Sequence, residues 1–74
     1  MHYLKNPIVK KFGQRVRELR VSKKMSQGDL AKILGVHRTY VSGIERGLRN
    51  PSLLTLKKIS KALDVNISDI VDSI

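Results

Sequence analysis

Residues 27–46 read QGDLAKILGVHRTYVSGIER. Two short helices that cross steeply at a turn of about three or four residues place fixed demands on such a segment. The first helix needs apolar residues one turn apart facing the second, and Leu30 and Leu34 stand there. Between them the two backbones approach too closely for a large side chain, and the residue there is Ala31. The turn needs a residue free to adopt a left-handed conformation, which Gly35 supplies. Val36 then plugs the corner, and Val41 and Ile44 dock the second helix. Every position that the geometry constrains carries the residue type it needs.

Helix punctuation recurs on both sides of this segment. Asn6-Pro7 places a capping residue before a proline at the first helical position, and Val9, Phe12, Val16 and Leu19 follow at helical spacing. The spacing predicts a first helix over about 7–23. Ser26 caps a second helix, with Asp29 as its capping-box partner and Gly35 as its end. A third begins at Val36 or His37 and closes at Gly47. Asn50-Pro51-Ser52 turns the chain into a fourth, with Leu53, Leu56, Ile59 and Leu63 facing inward. Asn66 caps a last short helix over about 67–73, and no clean apolar–polar alternation marks a strand. The expected fold is all-α, a compact five-helix bundle forming one domain over 1–74.

The chain has 74 residues and no cysteine, which excludes disulfide staples and thiolate metal sites. A chain of this size buries only about 60% of its unfolded surface, so a partner subunit is a natural supplement to its core. The longest run without Lys, Arg, Asp or Glu is seven residues, Asn50–Leu56, too short for a membrane-spanning helix. Charge is the outstanding feature, with 15 Lys/Arg against 6 Asp/Glu and a net of +9. It is uneven: residues 1–58 hold 14 Lys/Arg and 3 acids, whereas residues 59–74 hold Lys61 against Asp64, Asp69 and Asp72. A basic body with an apolar, slightly acidic tail fits a polyanion-binding surface and a separate pairing surface, although basic residues also simply keep small domains soluble.

From Val16 to about Val71 the sequence resembles the Cro/repressor-type (XRE) helix-turn-helix family. The resemblance implies a lambda-repressor-like domain in which the second and third helices bind DNA. The run His37-Arg38-Thr39-Tyr40-Val41-Ser42-Gly43-Ile44-Glu45-Arg46-Gly47, followed by Arg49-Asn50-Pro51-Ser52, is similar to the controller proteins of restriction–modification systems. Those are small dimers that regulate their own transcription and that of a nuclease. The resemblance also implies a buried ion pair between Arg20 and Glu45, giving both residues, like Ala31 and Gly35, an architectural role.

A recognition helix presents its N-terminal residues to base edges in the major groove. These are His37, Arg38 and Thr39, with Ser42 one turn on. Arg38 suits guanine O6 and N7, and Thr39 suits a thymine methyl or a base acceptor. Gly43 leaves no side chain one turn beyond Thr39, so direct reading there should be poor. Phosphate contacts are expected from Gln27 at a helix N-terminus and from Arg46, Arg49, Asn50 and Ser52 in the loop after the recognition helix. Tyr40 either sets its hydroxyl on a phosphate or is a half-buried boundary residue. Lys10, Lys11, Arg15 and Arg17 fit a solvated face and a binding patch equally well.

The apolar residues Leu54, Ile67, Ile70, Val71 and Ile74 exceed what one inward face requires, and a homodimer interface is expected to use them. A dimer would set two recognition helices about 34–36 Å apart on a two-fold-symmetric operator. The partners expected are therefore double-stranded DNA and a second copy of the chain, in the cytoplasm. His2 and His37 without clustered acids make no metal site, and no positioned nucleophile or carboxylate pair suggests catalysis. No cofactor is expected, and the residues outside the binding unit are too few to enclose a drug-sized ligand. A different class of function, a protein-interaction module such as an antitoxin-like domain, has no use for Arg38, Thr39 and the polar Arg46–Ser52 loop. Surface binding to membranes lacks a bulky apolar helix face with aromatic edges.

Overall fold

Local capping chemistry sets most of the helix ends. In the computed structural model, which describes residues 7–72, the chain forms α1 (Pro7–Ser22), α2 (Gln27–Leu34), α3 (Arg38–Glu45), α4 (Leu53–Ala62) and α5 (Ile67–Val71). Ser26 Oγ accepts from the Asp29 backbone N–H at 2.9 Å while Asp29 Oδ2 accepts from the Ser26 backbone N–H at 2.9 Å. Those hydrogen bonds hold the Asp29 carboxyl below its ordinary range, so the cap's contribution is present above ordinary carboxylate pKa values and is lost as pH falls through the lowered one. His37 and Ser52 cap α3 and α4 through their side chains, while at the start of α5 the Asp69 carboxylate accepts from the Asn66 backbone N–H at 2.8 Å. Asn6 lies outside the described residues.

Gly35 ends α2 at φ 71°, with the Val36 N–H donating to the Ala31 carbonyl at 3.0 Å. The same left-handed stop follows α1 at Lys24 (φ 59°) and α4 at Asp64 (φ 55°), both without glycine. The Met25 N–H reaches the Arg20 carbonyl there, and the Val65 N–H the Ser60 carbonyl. A short run of orphan carbonyls is satisfied at each end at the cost of a strained φ. Because neither residue is a glycine, the sequence carries no sign of these stops, and α1 closes one residue sooner than its periodicity predicts.

Phe12 and Val16 from α1, Leu30, Ala31 and Leu34 from α2, Val41 and Ile44 from α3, Ile59 and Leu63 from α4 and Ile70 from α5 form one buried cluster. Three sequence expectations fail around this core, the first being Val36, which is exposed and does not plug the corner after Gly35. Leu53, the first residue of α4, is 77% exposed, and the inward stripe begins at Leu56. Ile70 is 0% exposed and belongs to the monomer core, so it is removed from the expected dimer surface. Ile70 is the fully buried residue of α5, and Val71 packs partly buried against the same cluster. Arg15 ties α1 to α5 by donating from Nε to the Asp69 carbonyl at 2.9 Å, and it pairs with Glu18 at 3.4 Å. Of the four basic residues on α1 that fit a binding patch or a solvated face, Arg15 is thus architectural.

Candidate nucleic-acid interface

The approach of α1 to α3 decides where the third helix sits. A Cβ on Gly13 would overlap the Ile44 carbonyl oxygen and lie 2.9 Å from that of Glu45. Only a residue without a side chain allows this distance between the two helices. Val41, Ile44 and Glu45 point inward as a result, while His37, Arg38, Thr39 and Arg46 remain exposed. Nothing in the spacing of apolar residues singles out Gly13, and the sequence reading missed it.

Below α3, Arg20 Nε donates to Glu45 Oε2 at 2.6 Å and Arg20 Nη2 donates to Glu45 Oε1 at 3.0 Å. Arg20 Nη1 donates to the Met25 carbonyl at 2.7 Å. Both residues are buried, and the Glu45 carboxylate raises the Arg20 pKa further above its ordinary value against the opposing effect of burial. This bidentate pair pins the C-terminal end of α3 to α1, as the family resemblance implies.

The expected DNA residues divide into those the fold leaves open and those it has already engaged. His37 Nδ1 accepts from the Thr39 backbone N–H at 3.1 Å and lies 2.9 Å from Thr39 Oγ1, so the pair closes on itself at the start of α3. Arg38 is exposed, and its Nη1 donates to Gln27 Oε1 at 3.0 Å. Gln27 Nε2 in turn donates to Glu45 Oε1 at 3.1 Å. Ser42 is half-buried, whereas Arg46 and Asn50 are exposed. The Ser52 hydroxyl caps α4, accepting from the Thr55 N–H at 3.1 Å and donating to Thr55 Oγ1 at 3.1 Å, which leaves backbone N–H groups of that helix start for an anion.

Gly43 lies beneath a side chain from the following loop. The position is buried, and a Cβ built there would come 2.9 Å from Arg49 Cγ. The Arg49 side chain therefore lies across the helix in the space a side chain at this position would take. Its guanidinium carbon sits 5.5 Å from the centroid of the half-buried Tyr40 ring, within cation–π range. The surface beyond Thr39 is thus covered by a cation from the following loop.

Among the described residues no group of three His, Cys, Asp or Glu side chains converges on a metal position, and no helix is long and apolar enough to cross a membrane. Leu54 is 63% exposed, Ile67 and Val71 are partly exposed, and Ile74 lies outside the described residues. Ile8 and Leu53 are also exposed and border an apolar groove with Val9, Phe12 and Leu56.

The helix-turn-helix family model HTH_3 matches residues 16–70. The chain belongs to that family. It is 56% identical over 62 residues to the control protein C.BamHI of Bacillus amyloliquefaciens, covering 82% of this chain and 76% of that protein. Its fold superimposes on the restriction–modification controller protein C.AhdI from Aeromonas hydrophila with a TM-score of 0.81 at 48% identity, covering 84% of this chain and 94% of the other. A third similarity is to the controller protein C.Esp1396I, seen as a tetramer with its natural 35 base-pair operator. There the TM-score is 0.79 at 33% identity, covering 89% of this chain and 91% of that one. The helix-turn-helix family read over Val16 to about Val71, and the all-helical architecture read from helix punctuation along the chain, are those of these relatives.

Proposed function

We propose that this protein is a transcription regulator that binds double-stranded DNA by sequence, acts as a homodimer on a two-fold-symmetric operator, and catalyses no reaction. The observation that carries the reading is the open N-terminal end of α3. There Arg38 stands exposed with a fixed neighbour, flanked by Arg46, Arg49 and Asn50 on the following loop. Arg38 reads a guanine through two parallel hydrogen bonds, the Thr39 methyl meets a thymine, and His37 and Ser42 flank them. Arg46, Arg49 and Asn50 hold phosphates, with the first backbone N–H groups of α2 and α4. The Tyr40 hydroxyl stands at the edge of that phosphate-binding surface.

The similarity to control proteins favours a controller of a restriction–modification system that acts in the cytoplasm on its own promoter. Assembly of C.Esp1396I as a tetramer on its operator supports pairing of dimers at adjacent sites here as well. Selection of bound duplexes from a random pool tests the reading. A two-fold-symmetric sequence should be enriched, with half-site centres about 34–36 Å apart. A folded protein that enriches no sequence over scrambled DNA in dilute buffer would overturn it.

A further inference from the structure

Gln27 stands between the buried ion pair and the exposed recognition residue. Its Oε1 accepts from Arg38 Nη1 at 3.0 Å, and its Nε2 donates to Glu45 Oε1 at 3.1 Å. The other Glu45 oxygen takes Arg20 Nε at 2.6 Å. The geometry points to Gln27 as the positioning residue that holds Arg38 in its base-reading place, with the Arg20–Glu45 pair as its buried anchor. The inference rests on the DNA-binding reading above and assigns Gln27 a part other than phosphate contact by its side chain.

Arginine can only donate hydrogen bonds and an ionised carboxylate can only accept them. A side chain joining the two must offer an acceptor at one end of its tip and a donor at the other. An amide does this, and glutamine has the reach. Glutamate would set a second negative charge against Glu45, and lysine a positive charge against Arg38. The relay also places a polarised amide between two ions, which strengthens both of its hydrogen bonds. A surface Gln–Arg contact with no anchor would hold little, since both chains are long and free to rotate. Here the far end of Gln27 is tied to a buried carboxylate, so Arg38 gives up rotamer freedom before DNA arrives. Arg38 has five N–H donors, of which this contact takes one, leaving enough for a bidentate guanine pair.

The variant Gln27→Met keeps side-chain bulk and removes both hydrogen-bonding ends. Gln27 is only half-buried, and a thermal melt checks that the variant folds. In the DNA-free protein, 15N relaxation at Arg38 Nε should show a more mobile guanidinium in Gln27→Met than in the parent. Unchanged relaxation would overturn the inference. On the selected operator, Gln27→Met should reduce discrimination by roughly tenfold at the one base pair whose preference Arg38→Ala relaxes. In the Arg38→Ala background it should change nothing further. Equal weakening of all duplexes by Gln27→Met, with the same factor in both backgrounds, would overturn the inference and return the side chain to phosphate contact. If the parent protein enriches no duplex, the DNA-binding reading fails, while the relaxation measurement still decides whether Gln27 holds Arg38.

Discussion

Gly13 on α1 and Ile44 on α3 meet backbone to backbone, with no room between them for a methyl group. The obstruction is a pair of peptide carbonyls, not the end of a flexible side chain, so neither partner yields without moving a helix. Gly13→Ala should therefore destabilise the fold by about 1–3 kcal/mol even though alanine favours a helix interior over glycine. Each kcal/mol corresponds to a fall of about 4–8 °C in melting temperature for a domain of this size. A variant that melts at or above the parent temperature would show that α1 and α3 are free to separate.

The Arg20–Glu45 pair makes an asymmetric prediction. Glu45→Ala leaves a buried guanidinium without its carboxylate and should cost about 3–5 kcal/mol in urea denaturation. The double variant Arg20→Met with Glu45→Leu leaves no stranded charge and should cost clearly less than Glu45→Ala alone. Equal losses in the two would mean that the pair's geometry, and not its charge, is what α3 depends on.

Gly43 separates stability from function. A Cβ there meets only the flexible Arg49 stem, and alanine relieves the backbone entropy of a mid-helix glycine. Gly43→Ala should hold or raise stability by up to about 1 kcal/mol while displacing Arg49 from Tyr40. Its loss of DNA affinity should match that of Arg49→Ala. Full affinity in Gly43→Ala would show that the lie of Arg49 across α3 is irrelevant to binding.

Arg38 and Arg46 should fail differently. Arg38→Ala should cost about 1–3 kcal/mol of binding and relax preference at one base position. Arg46→Ala should weaken all sequences alike and reduce the slope of log affinity against log salt by about one. Titrations at several salt concentrations on operator and single-base variants separate the two. Intact sequence preference in Arg38→Ala would remove it as the base reader.

Self-association should depend on the apolar residues that the monomer leaves open. Leu54→Asp and Ile67→Asp should each yield a folded monomer by sedimentation velocity. Ile70→Asp should instead unfold the chain, since that side chain is wholly buried. A dimer that survives both of the first two changes would place the interface elsewhere.

Residues 27–46 by themselves determined the paired helices, the turn at Gly35 and the exposed helix that carries Arg38, because every one of those features depends on residues a few positions apart. Capping at Ser26 by Asp29 was equally local, and so was legible from neighbouring residues. Tertiary structure alone decided the rest. Gly13 acquires its meaning from the α3 carbonyls opposite, Gly43 from an arginine six positions later, and Ile70 from the core that closes over it. Gln27 stands at the beginning of a helix, where sequence suggests an anion contact, and only the folded chain sets its amide between Glu45 and Arg38. Periodicity reports which face of a helix is apolar. It carries no record of how near another backbone comes or of which polar side chains meet across helices, and those distances assemble the candidate site.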